Sequence, residues 1–442
     1  MRKKLIVAAA AFIFLFLIPL TAKAQVIHEV APGDTLTNIA KQYRTSVGNL
    51  AKLNGLKPDA RLVVGQAIVI QGSTYIVQPG ESVWEISNRH SLTEEQVIKA
   101  NRLQNAVLRP GQKLTIPTPP KKEVWTGTNY LPKDEAGNRW MISNYYKTLS
   151  SLFIFEYRPQ FDGSIIEPAE NEAHIIAWKK NLAPYATITN IDEKGGFNPE
   201  LAHRIMSNGN IREQFINNLY RILHEHDYKG VVIDFEQVRP SDRKHLNMFL
   251  KQLSERLHLH GMRVMIAVPP KSGDKDPSYA AGYDYKTIGK YVDRMFLMTY
   301  DWHWPGGPSG PIAPIDRVRE TLDYAVSVVP RSKLMLGIPQ YAYDWTLSGE
   351  KRTGTAYSTQ RAIDLYIKHE SPIRYDEIAA SPTFRYVDDK GLLHEVWFED
   401  PRSLLAKFRL VKTYGLVGMG CWHLGLTMPQ TEEMLMEEFK VF

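Results

Sequence analysis

The chain has a single cysteine, Cys421, in 442 residues, so no disulfide can close within it. A protein of this length with no staple must draw its stability from a sizeable apolar core. That suits a large α/β domain and excludes a disulfide-bonded mini-scaffold. Cys421 lies in an apolar run, residues 415–426, where a small buried hydrophobe is the first reading and a reactive thiol the second. Charge of one sign is scarce as well. The formal net charge is +6, but Arg2, Lys3, Lys4 and Lys23 stand in the first 24 residues with no acid, which leaves +2 for the rest. That is too little to attract a nucleic acid or an anionic membrane. The 13 histidines offer no His-Glu-x-x-His or Cys–His spacing, and His224 and His226 read as surface or helix-end residues. No Gly-rich phosphate loop is present. Neither a metal nor another cofactor is indicated.

Apolar and basic residues are concentrated at the start. Arg2-Lys3-Lys4, the apolar run over residues 5–20 and Ala22-Lys23-Ala24 form the pattern of a secretory signal over residues 1–24. A single-span anchor is the alternative, although the run is short for a bilayer. With the signal cleaved, no stable membrane insertion is expected.

Repetition is plentiful. Val30-Ala31-Pro32-Gly33-Asp34-Thr35-Leu36 recurs as Val77-Gln78-Pro79-Gly80-Glu81-Ser82-Val83, a period of 47 residues. Each copy runs on through helix-like sequence to Asn54 or Asn101, and then through Gly65-Gln66 or Gly111-Gln112 into a closing strand. The expected unit is strand, helix, helix, strand. Pro-Gly makes the first turn, and Asp34 or Glu81 begins the helix, where negative charge is favourable. The two units span residues 26–70 and 74–117, and each is small enough to be only modestly stable.

These units resemble the LysM module, a family that binds N-acetylglucosamine-containing glycans such as peptidoglycan and chitin. The resemblance implies a groove between the first strand–helix loop and the second helix–strand loop. In this chain that would be Gly33, Asp34 and Thr35 with Asn54, and Gly80, Glu81 and Ser82 with Asn101. Binding another protein, or spacing the following domain, is the alternative use.

Residues 118–123, Pro- and Lys-rich, read as a short stiff linker, and residues 124–442 have the length of one (β/α)₈ TIM barrel. Apolar β-rich runs at 140–146, 151–157, 185–191, 230–236, 263–268, 294–300, 333–339 and 417–424 alternate with helical patterns such as 211–226 and 241–259. The expected fold is therefore α/β, a parallel barrel with its function at the strand C-terminal ends. A small α+β insertion over residues 342–401, with a hairpin signal at 385–391, is expected between strands 7 and 8.

The fourth run reads Gly-Val-Val-Ile-Asp-Phe-Glu from Gly230 to Glu236. Residues two apart share a strand face, so Val232, Asp234 and Glu236 should face the barrel axis while Val231, Ile233 and Phe235 pack outward. Two carboxylates so close repel, which keeps a proton on one of them for acid catalysis. An isolated Asp-x-Glu is more often an ion pair or a helix cap, and its place at a strand end is what favours chemistry.

Residues 230–236, Met298-Thr299-Tyr300-Asp301, Gly337-Ile338-Pro339-Gln340-Tyr341 and Gly420-Cys421-Trp422-His423-Leu424-Gly425 each close an expected strand. Together they resemble glycoside hydrolase family 18, and in particular its LysM-linked members acting on the bacterial wall and spore cortex. The resemblance implies substrate-assisted retention, in which the substrate's 2-acetamido oxygen attacks the anomeric carbon. Glu236 would be the general acid and then the base, and Asp234 would orient the acetamide. Tyr300 would donate to its carbonyl, Asp301 would contact the sugar, and Trp422 would floor the −1 ring. Gln340, Tyr341, Trp302 and Trp345 would line subsites with Trp304 and Tyr343, although plain packing is the ordinary use of such aromatics. Lys229 and Val232 stand where the fullest family motif has Asp, which puts the usual proton relay in doubt.

The expected activity is an endo-β-N-acetylglucosaminidase of peptidoglycan in cell wall or spore cortex, exported and tethered by its repeats. Its partners would be peptidoglycan or chitin-type polymers. A chitinase, a non-hydrolytic glycan-binding protein and a structural coat protein are the rivals. Retention of both Asp234 and Glu236 argues against the second, and the matched set at four strand ends against the third.

Overall fold

The computed structural model describes residues 25–90, 92–118, 120–169, 172–274, 279–348 and 353–442. The signal expected over residues 1–24 lies outside them. Each N-terminal repeat forms the expected unit. Strands Gln25–Glu29 (β1) and Ala67–Gln71 (β2) pair antiparallel around helices Leu36–Tyr43 (α1) and Val47–Leu53 (α2). Strands Thr74–Ile76 (β3) and Lys113–Thr115 (β4) do so around Val83–Arg89 (α3) and Glu94–Asn101 (α4). The acid after Pro-Gly does not cap the helix. Asp34 Oδ2 accepts from the Ala31 amide at 2.8 Å and lies 2.9 Å from His28 Nε2, and Thr35 is the N-cap. Glu81 likewise ties back, accepting from the Gln78 amide and the Tyr75 hydroxyl.

The first barrel strand is Lys122–Tyr130 (β5), which begins inside the stretch read as linker. Residues 140–146, expected as that strand, lie mostly in a helix, Glu135–Tyr145. Asp134 accepts from the Gly137 amide and starts that helix, so capping chemistry outweighed the aromatic, β-rich composition of the segment. The remaining strands are Ser151–Pro159 (β6, with a short hairpin partner Ile165–Ile166, β7), Ala183–Thr189 (β8), Gly230–Asp234 (β9), Arg263–Val268 (β10), Arg294–Leu297 (β11) and Leu334–Pro339 (β12). An insertion then supplies Tyr341–Thr346 (β13), Gly354–Ser358 (β14), Arg374–Asp376 (β15), Ser381–Val387 (β16) and Leu393–Trp397 (β17). Gly418–Trp422 (β18) and the short Phe439–Val441 (β19) end the chain.

Eight parallel strands, β5-β6-β8-β9-β10-β11-β12-β18, close on themselves through the β18–β5 and β5–β6 pairings. The insertion is a separate five-stranded antiparallel sheet carrying one helix, Thr359–Lys368, and the expected hairpin is the β16–β17 turn. Aromatic rings plug the barrel: Phe153 meets Trp125 and Tyr185 with ring centroids 5.9 Å away, and Phe296 at 6.5 Å. Small residues opposite make room for them. A Cβ at Gly127 would fall 2.2 Å from the Phe153 ring, and one at Gly420 would fall 1.8 Å from the Gly127 carbonyl oxygen.

The first repeat is packed on the barrel rather than held at the end of a joint. Its Ile27, Ala67 and Val69 are buried in the barrel's apolar core. Arg402, itself paired with Asp400, reaches Glu29 at 2.7 Å and donates to the Gly65 carbonyl at 3.0 Å. The Ile373 amide donates to the Val64 carbonyl at 2.9 Å. The two repeats also share one apolar cluster, which runs from Val26 to Ile116.

Candidate active site

Asp234 ends β9, and Glu236 stands two residues past the last paired position. The outward set behaves as the alternation predicts: Phe235 stacks on Phe249 of helix Arg243–His258, with centroids 5.7 Å apart. The inward set, Val232, Asp234 and Glu236, lines one cavity of about 250 Å³. Asn129, Phe153, Phe296, Tyr300, Asp301 and Trp422 are also in its wall, so the barrel's aromatic plug is the floor of the site.

Beyond β9 the chain is no longer in the ladder, and side chains hold it instead. Asn190, fully buried at the end of β8, accepts from the Glu236 amide at 2.8 Å and donates to the Glu236 carbonyl at 2.9 Å. The Tyr283 hydroxyl donates to the Phe235 carbonyl at 2.7 Å. The sequence reading passed over both residues, since nothing near them in the chain marks them. The only available cue was an Asn directly after an apolar strand.

The site opposes ionisation. Burial, and after it Glu156, pushes the Asp234 carboxyl up to about 7. Burial, then Asp234 and Asp301, push Glu236 well above the usual carboxylate range. Two interacting acids in a low-dielectric pocket retain a proton where free ones would have lost it. Asp234 Oδ1 is buried without a hydrogen-bond partner among the described residues, so it has an acceptor position to offer. Tyr300 is held in its neutral, donating form by burial and the three neighbouring acids.

Asp301, with a φ of +62°, turns its carboxylate toward the insertion. Its Oδ1 accepts from the Tyr341 hydroxyl at 2.6 Å and the Tyr343 hydroxyl at 2.7 Å. Tyr341 is therefore a support for Asp301 and does not line the cavity. Trp422 is half-buried, with Phe155 edge-on at 4.9 Å.

Three expected subsite residues fall elsewhere. Gln340, the single residue between β12 and β13, is buried, its Oε1 accepting from the Thr431 hydroxyl at 3.1 Å, and it does not line the cavity. Trp345 is only 2% exposed and packs edge-on against Tyr343, so its ring faces are closed to a sugar. Trp302 packs partly buried against the core, leaving Trp304, 56% exposed, as the open aromatic of that loop. Cys421 is buried beside the Thr128 hydroxyl, and burial pushes its thiol up to about 11, which is the inert reading.

In the repeats, Gly33 and Gly80 sit at φ +88° and +86° in exposed turns, with Thr35 and Ser82 exposed beside them. The side chains of Asn54 and Asn101 are spent internally. Asn54 bonds both the carbonyl and the amide of Val69 at 2.8 Å, and Asn101 donates to the Thr115 carbonyl at 2.7 Å. They staple the second helix to the closing strand. Trp84, missed in the sequence, stands 60% exposed in the first turn of α3. His203 and His245 both lie against Asp242 Oδ1, at 2.6 and 3.1 Å, a cluster whose contacts are those of hydrogen bonds. Among the described residues no helix is long and apolar enough to cross a membrane.

The family model for glycosyl hydrolases family 18 matches residues 195–426, and that for the LysM domain matches residues 28–71 and 75–117. A cortical fragment-lytic enzyme of Bacillus anthracis is 36% identical over 423 residues, covering 93% of this chain and 98% of the relative. The crystal structure of the Bacillus cereus spore cortex-lytic enzyme SleL superposes with a TM-score of 0.87 at 34% identity, over 95% of this chain and 99% of that one. A chitinase from Chromobacterium violaceum ATCC 12472 matches with a TM-score of 0.67 at 28% identity, over 71% of this chain and 98% of its own.

Proposed function

The chain belongs to glycosyl hydrolase family 18, and from that premise we propose that it is a retaining, substrate-assisted endo-β-N-acetylglucosaminidase of bacterial peptidoglycan, exported to the wall or spore envelope. The observation that carries the reading is the convergence of Asp234, Glu236, Tyr300 and Asp301 on one cavity beside Trp422. Glu236, kept protonated by its surroundings, gives its proton to the glycosidic oxygen and later takes one from water. Asp234 receives the acetamide N–H on its free oxygen and offsets the positive charge of the cyclic intermediate, while Tyr300 donates to the acetamide carbonyl. Nucleophilic attack comes from the substrate, so the carboxylate separation rule for two-acid glycosidases does not apply. Trp422 presents an apolar face to the ring.

The LysM repeats hold the enzyme on an insoluble polymer and raise the local substrate concentration. The names of the cortex-lytic relatives favour spore cortex among peptidoglycans.

The test is digestion of purified peptidoglycan by the mature protein beside Glu236→Gln, with reducing ends identified by mass spectrometry. New reducing N-acetylglucosamine ends from the wild type alone support the reading. Release of oligomers from chitin only would replace it by a chitinase. No products from either polymer would sink it.

A further inference from the structure

Asp234 is faced by acids and phenols from several elements. Glu236 follows it in the chain, and Tyr300 and Asp301 come from the segment after β11. Tyr283 grips the backbone behind Phe235. Glu156 comes from β6, two strands away, and does not line the cavity.

The placement of Glu156 is specific. The β6–β8 register skips a residue between Phe155 and Tyr157, so Glu156 sits at the irregularity. Its Oε2 accepts from the Thr189 hydroxyl at 3.0 Å, and Thr189 is the β8 residue in register with Asp234. Its Oε1 accepts from Arg158 Nε at 2.8 Å. The side chain is 13% exposed. With adjacent strands about 4.8 Å apart, the Glu156 carboxylate lies within about two strand spacings of Asp234. On the strand itself Val232 is apolar, so the third acid reaches the pair from the side.

We propose that Glu156 is a positioning residue for the reaction: a carboxylate ion-paired with Arg158 and held by the Thr189 hydroxyl, whose charge holds the shared proton on the Asp234–Glu236 pair and so places the pH range in which the pair works. Arg158 anchors the charge and partly offsets it. The upward displacement of Asp234, to which Glu156 contributes after burial, agrees with this geometry. The inference rests on Asp234 and Glu236 being the catalytic pair.

The test compares pH–rate profiles of wild type, Glu156→Gln, Glu156→Asp and Arg158→Gln, on purified peptidoglycan or on chitotetraose, whichever the wild type cleaves. Glu156→Gln should move both limbs of the profile to lower pH by about one unit, with the maximal rate within about threefold of wild type. Glu156→Asp should restore the limbs, and Arg158→Gln, which unmasks the charge, should move them to higher pH. Unmoved limbs in Glu156→Gln, or a uniform loss of rate at every pH, overturn the proposal. If Glu156→Gln does not fold, the direction of shift in Arg158→Gln decides instead. Activity surviving in Glu236→Gln would remove the catalytic pair itself. An inactive Glu236→Gln with unmoved Glu156→Gln limbs would remove only the role of Glu156.

Discussion

At the scale of single residues, the two acids that serve the proposed chemistry work against the fold. In the unfolded chain the Asp234 carboxyl titrates near its ordinary 3.8, and in the folded protein it is pushed up to about 7. The folded state therefore binds that proton more tightly, and stability falls as pH rises from the lower value to the higher. Asp234→Asn should raise the melting temperature above neutral pH by about 2 °C or more and should have less effect near pH 4 to 5. A thermal melt series across pH checks this, and an equal shift at all pH would show that charge is not the cause. Asn190 acts in the opposite sense, since both of its bonds to Glu236 hold the backbone of the proposed general acid. Asn190→Ala should lower kcat about tenfold and leave KM nearly unchanged, because the lost contacts orient the acid without touching substrate.

At the scale of elements, strands were legible wherever alternation or an apolar run was clean. The run from Gly230 gave its inward and outward faces correctly, as the Phe235–Phe249 stack and the lining by Val232 and Asp234 show. The first strand was misplaced. Residues 140–146 are rich in aromatic and branched side chains, yet a capped helix occupies most of them, while the true strand hides behind a Pro-Lys joint. Close approach between strands also sets residue size. A Cβ at Gly337 would fall 2.4 Å from the Leu297 carbonyl oxygen and 3.0 Å from the Tyr300 ring. Gly337→Ala should cost about 2 kcal/mol of stability and displace Tyr300, lowering kcat. Denaturant melts with kcat on the same samples check both effects.

At the scale of the whole molecule, the first repeat is part of the catalytic domain's packing. Ile27, Ala67 and Val69 lie in the barrel's core cluster, and the half-buried Arg402 joins Glu29 and Gly65 to Asp400. A chain truncated to residues 118–442 should melt about 3 °C or more below the full protein, or aggregate, because apolar surface loses its cover. An unchanged melting temperature would show that the contact contributes little. The packing also fixes the first repeat relative to the cleft, so a bound glycan strand would meet the active site at a set distance.

What the sequence by itself determined were features whose physics is local. The Pro-Gly turns and the Asn of each unit repeat at 47 residues, alternation puts Asp234 and Glu236 on one face, and the Tyr300, Asp301 and Trp422 motifs fall at strand ends. Only the tertiary structure decided what depends on which strand lies beside which. It turned Gln340 away from the cleft, closed Trp345 behind Tyr343, and made Tyr341 a support for Asp301. It also set Asn190 against Glu236, placed Glu156 beside the partner of Asp234, and seated the first repeat on the barrel. These contacts join residues tens to hundreds of positions apart. Their energies depend on barrel closure and interdomain burial, which no local pattern in the chain encodes.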